Sequence, residues 1–218
     1  MNQLDKTRQQ QAVAAPAPPN KAWMRYLQSA TGKQTVYSTT PKAAGVVYLL
    51  VDCSGSMSEG DKMGQARRGA VEFAKQANQK GYAVGVIRFD SSAELIVTAQ
   101  SSVRELETCV ARMAARGSTN LAEAIQLATQ CLSDASGEKV VCVMTDGYPD
   151  DVKAALSAAR QAASKGIDIM ALGTDDADSE FLERLATRKE LQVRVSAMQL
   201  EQGMVSMAKL LPNSSPQV

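Results

Sequence analysis

The sequence predicts an α/β fold: a doubly wound, mostly parallel six-stranded sheet with one antiparallel edge strand and helices on both faces. Three observations carry that expectation. Short β-rich runs alternate with segments rich in Ala, Leu, Glu and Gln, whose apolar residues recur every three or four positions. Three of these segments run on to a Lys-Gly or Ser-Gly pair suited to a left-handed cap. Only the second and third β-rich runs lack a helical segment between them, so only there can neighbouring strands join as a hairpin.

In chain order, residues 1–42 form a basic, Pro/Ala-rich tail. Within it "AAPAPP" is a stiff spacer, and "KAWMRYLQSA" has the spacing of a short amphipathic helix with Trp23, Met24 and Leu27 on one side. The folded domain is expected over 43–212, followed by a short tail at 213–218. Strands are expected at 46–51, 82–89, 94–98, 139–145, 167–172 and 191–195. Four buried helical stripes fall between them. They are Met63, Ala66, Ala70, Phe73 and Ala77; Val103, Leu106, Val110 and Met113; Leu121, Ile125, Ala128 and Leu132; and Val152, Leu156, Ala159 and Ala163. Gly81, Gly137 and Gly166 are expected to cap three of the helices. "FDSSAE" turns the second strand into the third, which becomes the antiparallel edge.

Composition narrows the function. Of 218 residues, 44% are hydrophobic and 22% charged, enough for one domain with a full core. No histidine occurs, which removes the commonest general base and the commonest transition-metal ligand together. The four cysteines (Cys53, Cys109, Cys131, Cys142) show no CxxC pairing and read as buried thiols in a reducing compartment. No signal-peptide core and no membrane-spanning run is present, so a cytoplasmic protein is expected. Residues 1–45 carry a balance of +5 and the remainder −4. That is a solvated basic arm ahead of a mildly acidic domain. Without interleaved aromatics it gives no reason to expect nucleic acid as a partner.

The chemistry concentrates in "VYLLVDCSGSMSEGDKM", where an apolar strand runs directly into Asp52, Ser54 and Ser56. A Walker-type phosphate loop fails here, because Asp61 stands where the lysine belongs, Lys62 is one place late and Met63 replaces the hydroxyl. A phosphatase of the haloacid-dehalogenase kind wants a second acid two positions after its aspartate, and Ser54 occupies that place. A cage for a hard divalent cation fits better, since such ions take oxygen ligands and keep several waters. "DCSGS" offers oxygens at alternate positions, "GSTNLAEAI" offers Thr119 ahead of a helix, and "VVCVMTDGYPDD" ends another strand with Asp146. Taken singly, Ser54, Ser56 and Thr119 read equally well as caps and Asp146 as a turn residue. Together, at one rim of a doubly wound sheet, they point to one ion.

"DCSGS", the distant Thr119 and the "TDG" ending in Gly147 resemble the von Willebrand factor type A domain with its metal-ion-dependent adhesion site, of intracellular bacterial type. "ALGTDDADSEFLERLA" is similar to the family's segment after its fifth strand. The resemblance implies a metal site of Asp52, Ser54, Ser56, Thr119 and Asp146, holding Mg²⁺ or Mn²⁺, with Ca²⁺ less suited. It also implies a last helix, 199–211, that slides as the site switches. The implied function is capture of an Asp or Glu of a partner protein, in the cell beside an AAA-type ATPase, with no catalysis and no membrane. A metal-dependent phosphohydrolase using Asp52, or a scaffold with an unused site, are the alternatives. Met57, Asn120 and Tyr148 adjoin the ligand positions and are expected to form the binding rim. Asp150, Asp151, Asp175, Asp176 and Asp178 are expected mostly as caps and first-turn acids, and Cys53 as a core thiol.

Overall fold

Alternation along the first strand builds both halves of the core. In β1 (Gly45–Asp52), Val47, Leu49 and Val51 enter one apolar cluster while Tyr48 and Leu50 enter another on the opposite face, as the two-residue period of a strand requires. The computed structural model describes residues 44–212; the expected N-terminal helix and both tails lie outside the described residues. Among those described, no helix is long and apolar enough to cross a membrane.

The chain continues through α1 (Lys62–Gln79), β2 (Tyr82–Phe89), β3 (Ala93–Val97), α2 (Val103–Val110), α3 (Leu121–Cys131), β4 (Glu138–Thr145), α4 (Val152–Ser164), β5 (Asp168–Gly173), α5 (Ser179–Leu185), β6 (Gln192–Arg194) and α6 (Leu200–Leu210). The six strands lie in the order β3-β2-β1-β4-β5-β6. Every neighbouring pair is parallel except β2 with β3, which is antiparallel. The expected sheet is therefore the observed one, antiparallel edge included. Because helices cover both faces, the central strands are buried almost throughout, which explains their unbroken apolar sequence.

One face packs against α1, α2 and α6, the other against α3, α4 and α5. The α1 stripe is buried as expected. Close approach of α6 to α1 depends on Gly69, where an added Cβ would meet Met204 Sδ at 2.5 Å. Two sequence expectations change. In α4, Leu156 and Ala159 are buried as expected and Val152 partly so, joined by Ala155, Ala158 and Ala162, while Ala163 faces solvent. Gly81 and Gly166 follow their helices with positive φ, but Gly137 takes its positive φ in the turn into β4, beyond the end of α3 at Cys131. Met113 stays buried although α2 stops at Val110.

Strand order reverses around β1 and β4, whose carboxyl ends carry Asp52 and Thr145-Asp146. Register pairs Val51 with Met144, so the two strand ends emerge side by side. A crevice at that reversal is where open α/β sheets place ligands.

Candidate metal centre

Main-chain hydrogen bonds lock three loops together at this crevice. The Cys53 amide donates to Phe89 O at 2.7 Å, and Cys53 O accepts from the Arg116 amide at 2.7 Å. The Gly55 amide donates to Gly117 O at 3.1 Å, tying the Asp52 turn to the loop that carries Thr119. Thr119 is in turn bonded both ways to Asp150: its amide donates to Asp150 Oδ1 at 3.0 Å, and its carbonyl accepts from the Asp150 amide at 3.0 Å. Gly117 makes this clasp sterically feasible. It sits at φ +69°, and a Cβ there would lie 2.5 Å from Ser91 Oγ. Gly117→Ala is expected to destabilise the protein by about 1–3 kcal/mol, read as a lower urea midpoint at unchanged m-value.

Within the clasp, Asp52 is fully buried. Its Oδ1 accepts from the Ser54 amide at 2.8 Å and its Oδ2 from the Thr145 hydroxyl at 2.6 Å. Ser54 Oγ lies 3.2 Å from Ser56 Oγ, and the Ser56 hydroxyl donates to Asp146 Oδ1 at 2.8 Å. The Lys62 ammonium donates to Asp146 Oδ2 at 2.9 Å, and reaches Glu59 and Asp176 at 3.2 and 3.4 Å. Four of the five residues picked from sequence, Asp52, Ser54, Ser56 and Asp146, thus form one hydrogen-bonded chain. Thr119 joins through its backbone clasp; its hydroxyl makes no hydrogen bond to the chain among the described residues.

Capping does not account for these groups. Ser54 precedes the 3₁₀ turn Gly55–Ser58 without a side-chain cap bond. The cap of α3 is Asn120, which accepts from the Glu123 amide at 3.3 Å, and not Thr119. Asp146 bonds Ser56 and Lys62 rather than closing its own turn. Of the other acids, Asp151 and Asp178 do cap α4 and α5, whereas Asp150 holds Thr119 and Asp176 reaches Lys62.

Electrostatics single out Asp52. Among the described residues three aspartates are buried: Asp52, Asp90 and Asp146. Asp90 has Arg88 and Arg116 on its Oδ2, and Asp146 has Lys62. Asp52 has only neutral donors. Burial therefore pushes its carboxyl up to about 6; the bonds from Thr145 and Ser54 pull the other way, and the charge of Asp146 adds to the rise. An ionised carboxylate at such depth needs a counter-charge, which a bound cation would supply. No three His, Cys, Asp or Glu side chains gather as a metal cluster among the described residues, so a cation here would rest on two carboxylates plus hydroxyls. That donor set is all oxygen, which suits a hard divalent ion and fits the expected group.

Of the three residues expected at the rim, one is not at the surface. Met57 is fully buried in the cluster beneath the sheet, because the 3₁₀ turn points it inward; it offers a partner nothing. Tyr148 is 57% exposed, and its phenol is held above its ordinary value chiefly by the Asp178 carboxylate. Asn120 is half-buried beside Thr119, with its amide donating to Glu123 Oε2 at 2.9 Å. Cys53 points into the core as expected; burial, aided by Asp52, raises its thiol to about 12. Lys62 and Thr145 escape a motif search. Thr145 could have been flagged as the hydroxyl directly before Asp146. Lys62 draws notice in the sequence only as a misplaced phosphate-loop lysine.

Residues 47–206 match the family model of the von Willebrand factor type A domain. The chain belongs to that family. A sequence relative of the type A domain is calcium-activated chloride channel regulator 1 of Bos taurus, 27% identical over 161 residues, which cover 70% of this chain and 17% of that protein. The match therefore spans about a sixth of that relative. Among solved structures, the vWF domain of the type V pili tip protein Mfa5 from Porphyromonas gingivalis superposes with TM-score 0.68 at 12% identity, covering 76% of this chain and 94% of that one. Proximal thread matrix protein 1 from the mussel byssus, solved with a zinc-occupied MIDAS motif, gives TM-score 0.67 at 17% identity over 78% of this chain and 48% of that one. At these identities the structures speak to the fold.

Proposed function

We propose that this type A domain is a binding module which captures an acidic side chain of a partner protein at a divalent cation held by Asp52, Ser54, Ser56, Thr119 and Asp146. The observation that carries the reading is the buried Asp52 carboxylate, met only by neutral donors and adjoining two serine hydroxyls. A cation bound there supplies a positive, incompletely saturated acceptor for a carboxylate. Asp52 and the two serines would hold it, Asp146, already paired with Lys62, adds an oxygen ligand, and the main-chain clasp on Gly117 and Asp150 keeps the Thr119 loop at the same rim. The oxygen-only donors favour Mg²⁺ or Mn²⁺; Ca²⁺ asks for more oxygens than these five residues offer. The zinc in the mussel protein's motif makes Zn²⁺ a useful third ion to titrate.

The phosphohydrolase alternative is disfavoured by the same geometry. The Asp52 oxygens are turned to the Ser54 amide and the Thr145 hydroxyl, and Ser54 stands where such an enzyme needs its second acid. We place the partner inside the cell and take an AAA-type ATPase, as the family resemblance implies, as the first candidate for affinity purification against an Asp52→Ala control.

Thermal unfolding tests the core of the reading. At pH 7.5, a cation present at about a hundred times its Kd should add about 2.7 kcal/mol, a rise of roughly 5–10 °C in Tm. The rise should shrink as pH falls through about 6, because there a proton on Asp52 must leave before the carboxylate can act as a ligand. A cation response that persists undiminished at pH 5, or none at pH 7.5, would count against the site.

A further inference from the structure

Among the described residues Lys62 is the one basic side chain built into this site, and helix formation does not explain it. It is the first residue of α1, at the positive end of the helix dipole, where a lysine has the wrong sign. The helix gains no side-chain cap bond from Asp61 before it. Yet the Lys62 side chain is only 8% exposed, with its ammonium 2.9 Å from an Asp146 carboxylate that is fully buried. Its other two partners, Glu59 and Asp176, are 72% and 66% exposed, so water screens them. The Asp146 carboxylate at 2.9 Å, with Glu59 and Asp176 at 3.2 and 3.4 Å, favours the charged form of Lys62. The residue is a fixed positive charge.

A charge count at the site shows what that does. Among the buried groups alone, with the solvent-screened Glu59 and Asp176 set aside, Asp52 and Asp146 bring two negative charges and Lys62 one positive, a net −1. With a divalent ion the total becomes +1; with Lys62 neutral it would be zero. A site at +1 draws a carboxylate more strongly than one at zero, and the same ammonium repels the divalent ion on its way in. Its hold on Oδ2, with the Ser56 hydroxyl on Oδ1, also engages both Asp146 oxygens.

We propose that Lys62 is a specificity-determining residue of the site: by neutralising Asp146 it weakens the domain's hold on a divalent cation and strengthens the loaded domain's hold on an acidic ligand. This rests on the cation-site reading above. The two effects have opposite signs, which a merely structural ion pair would not produce.

The test uses Mn²⁺ and acetate as probes on the full chain. Mn²⁺ affinity is measured by calorimetry, and acetate affinity by broadening of its methyl proton line by the Mn²⁺-loaded protein. Lys62→Met should bind Mn²⁺ about ten-fold tighter or more, and acetate about ten-fold weaker or more. Lys62→Arg, which keeps the charge, should follow wild type in both. Should Lys62→Met fail to fold free of cation, Lys62→Gln carries the same two measurements with an uncharged donor on Asp146. Mn²⁺ affinity that is unchanged or weaker in the neutral variants, or acetate affinity that does not fall, overturns the proposal while leaving the cation site standing. Absence of Mn²⁺ uptake by wild type overturns both.

Discussion

Asp52→Asn is expected to abolish the cation-dependent rise in Tm while making the cation-free protein more stable at pH 7.5. The first half follows from removing the only buried carboxylate that lacks a basic partner among the described residues. The second half follows from linkage. Asp52 has a folded-state pKa raised from 3.8 to about 6, so the folded state binds its proton more tightly than the unfolded chain does. Its stabilising contribution is full below pH 3.8 and is lost as pH rises through 6. Above that, the buried negative charge destabilises the cation-free fold by about 3 kcal/mol relative to the protonated form, since each tenfold gain in proton affinity is worth about 1.4 kcal/mol. Asparagine is neutral at every pH and nearly isosteric; its amide oxygen can still accept from the Ser54 amide, and its NH₂ can turn to the Thr145 oxygen. Without divalent ions the variant should therefore melt up to about 6–12 °C above wild type at pH 7.5 and close to it at pH 4. With saturating cation the order narrows or reverses. Thermal scans at both pH values, with EDTA or with Mg²⁺, read all four corners. A variant that is simply less stable under every condition would mean that Asp52 is a structural carboxylate and nothing more.

The fold was legible because burial on both faces of a parallel sheet writes itself into sequence. Unbroken apolar runs such as Val46 to Val51 and Val140 to Met144, separated by stripes such as Met63, Ala66, Ala70 and Phe73, leave few other arrangements. The hairpin at "FDSSAE" was legible for a simpler reason: so short a link cannot carry a parallel crossover. The limits were local. Ala162 and Ala163 both fit the α4 period within its tolerance, and only packing decides that Ala162 faces the core. Met57 looked like a rim residue because it follows Ser56, but a 3₁₀ turn changes side-chain direction at every step and turns it inward.

At the site, spacing along the chain was enough to pick out residues at strand ends. It could not rank them by charge balance. That Asp52 is uncompensated while Asp146 is paired depends on where Lys62 points, across 84 positions of sequence from its partner. No local pattern encodes such a bond. Thr145 illustrates the same limit at short range: as the last residue of β4 it could have faced either side of the sheet, and only register with β1 brings its hydroxyl 2.6 Å from Asp52.

The Lys62–Asp146 pair gives the second large effect, opposite in sign to the first. Asp146→Ala is expected to destabilise the cation-free protein by about 3 kcal/mol or more, because it strands a buried ammonium that Glu59 and Asp176 reach only from exposed positions. Breaking one partner of a buried pair is costly, whereas replacing both with apolar groups of similar volume is often neutral or better. The double variant Lys62→Met/Asp146→Leu should accordingly recover most of the loss, and a double-mutant cycle from urea midpoints should return a coupling on the order of 2 kcal/mol. Recovery of stability should come without recovery of the cation response, since Asp146 is gone. Two aspartates 94 positions apart in sequence, joined through Ser54 and Ser56, would then differ in kind. Asp52 would be a charge that the fold holds at its own expense and a cation relieves; Asp146 would be one already answered from within the chain. Additive midpoints across the cycle would show instead that Lys62 is stabilised by its exposed acids alone, and that the charge of Asp146 is as free for a cation as that of Asp52.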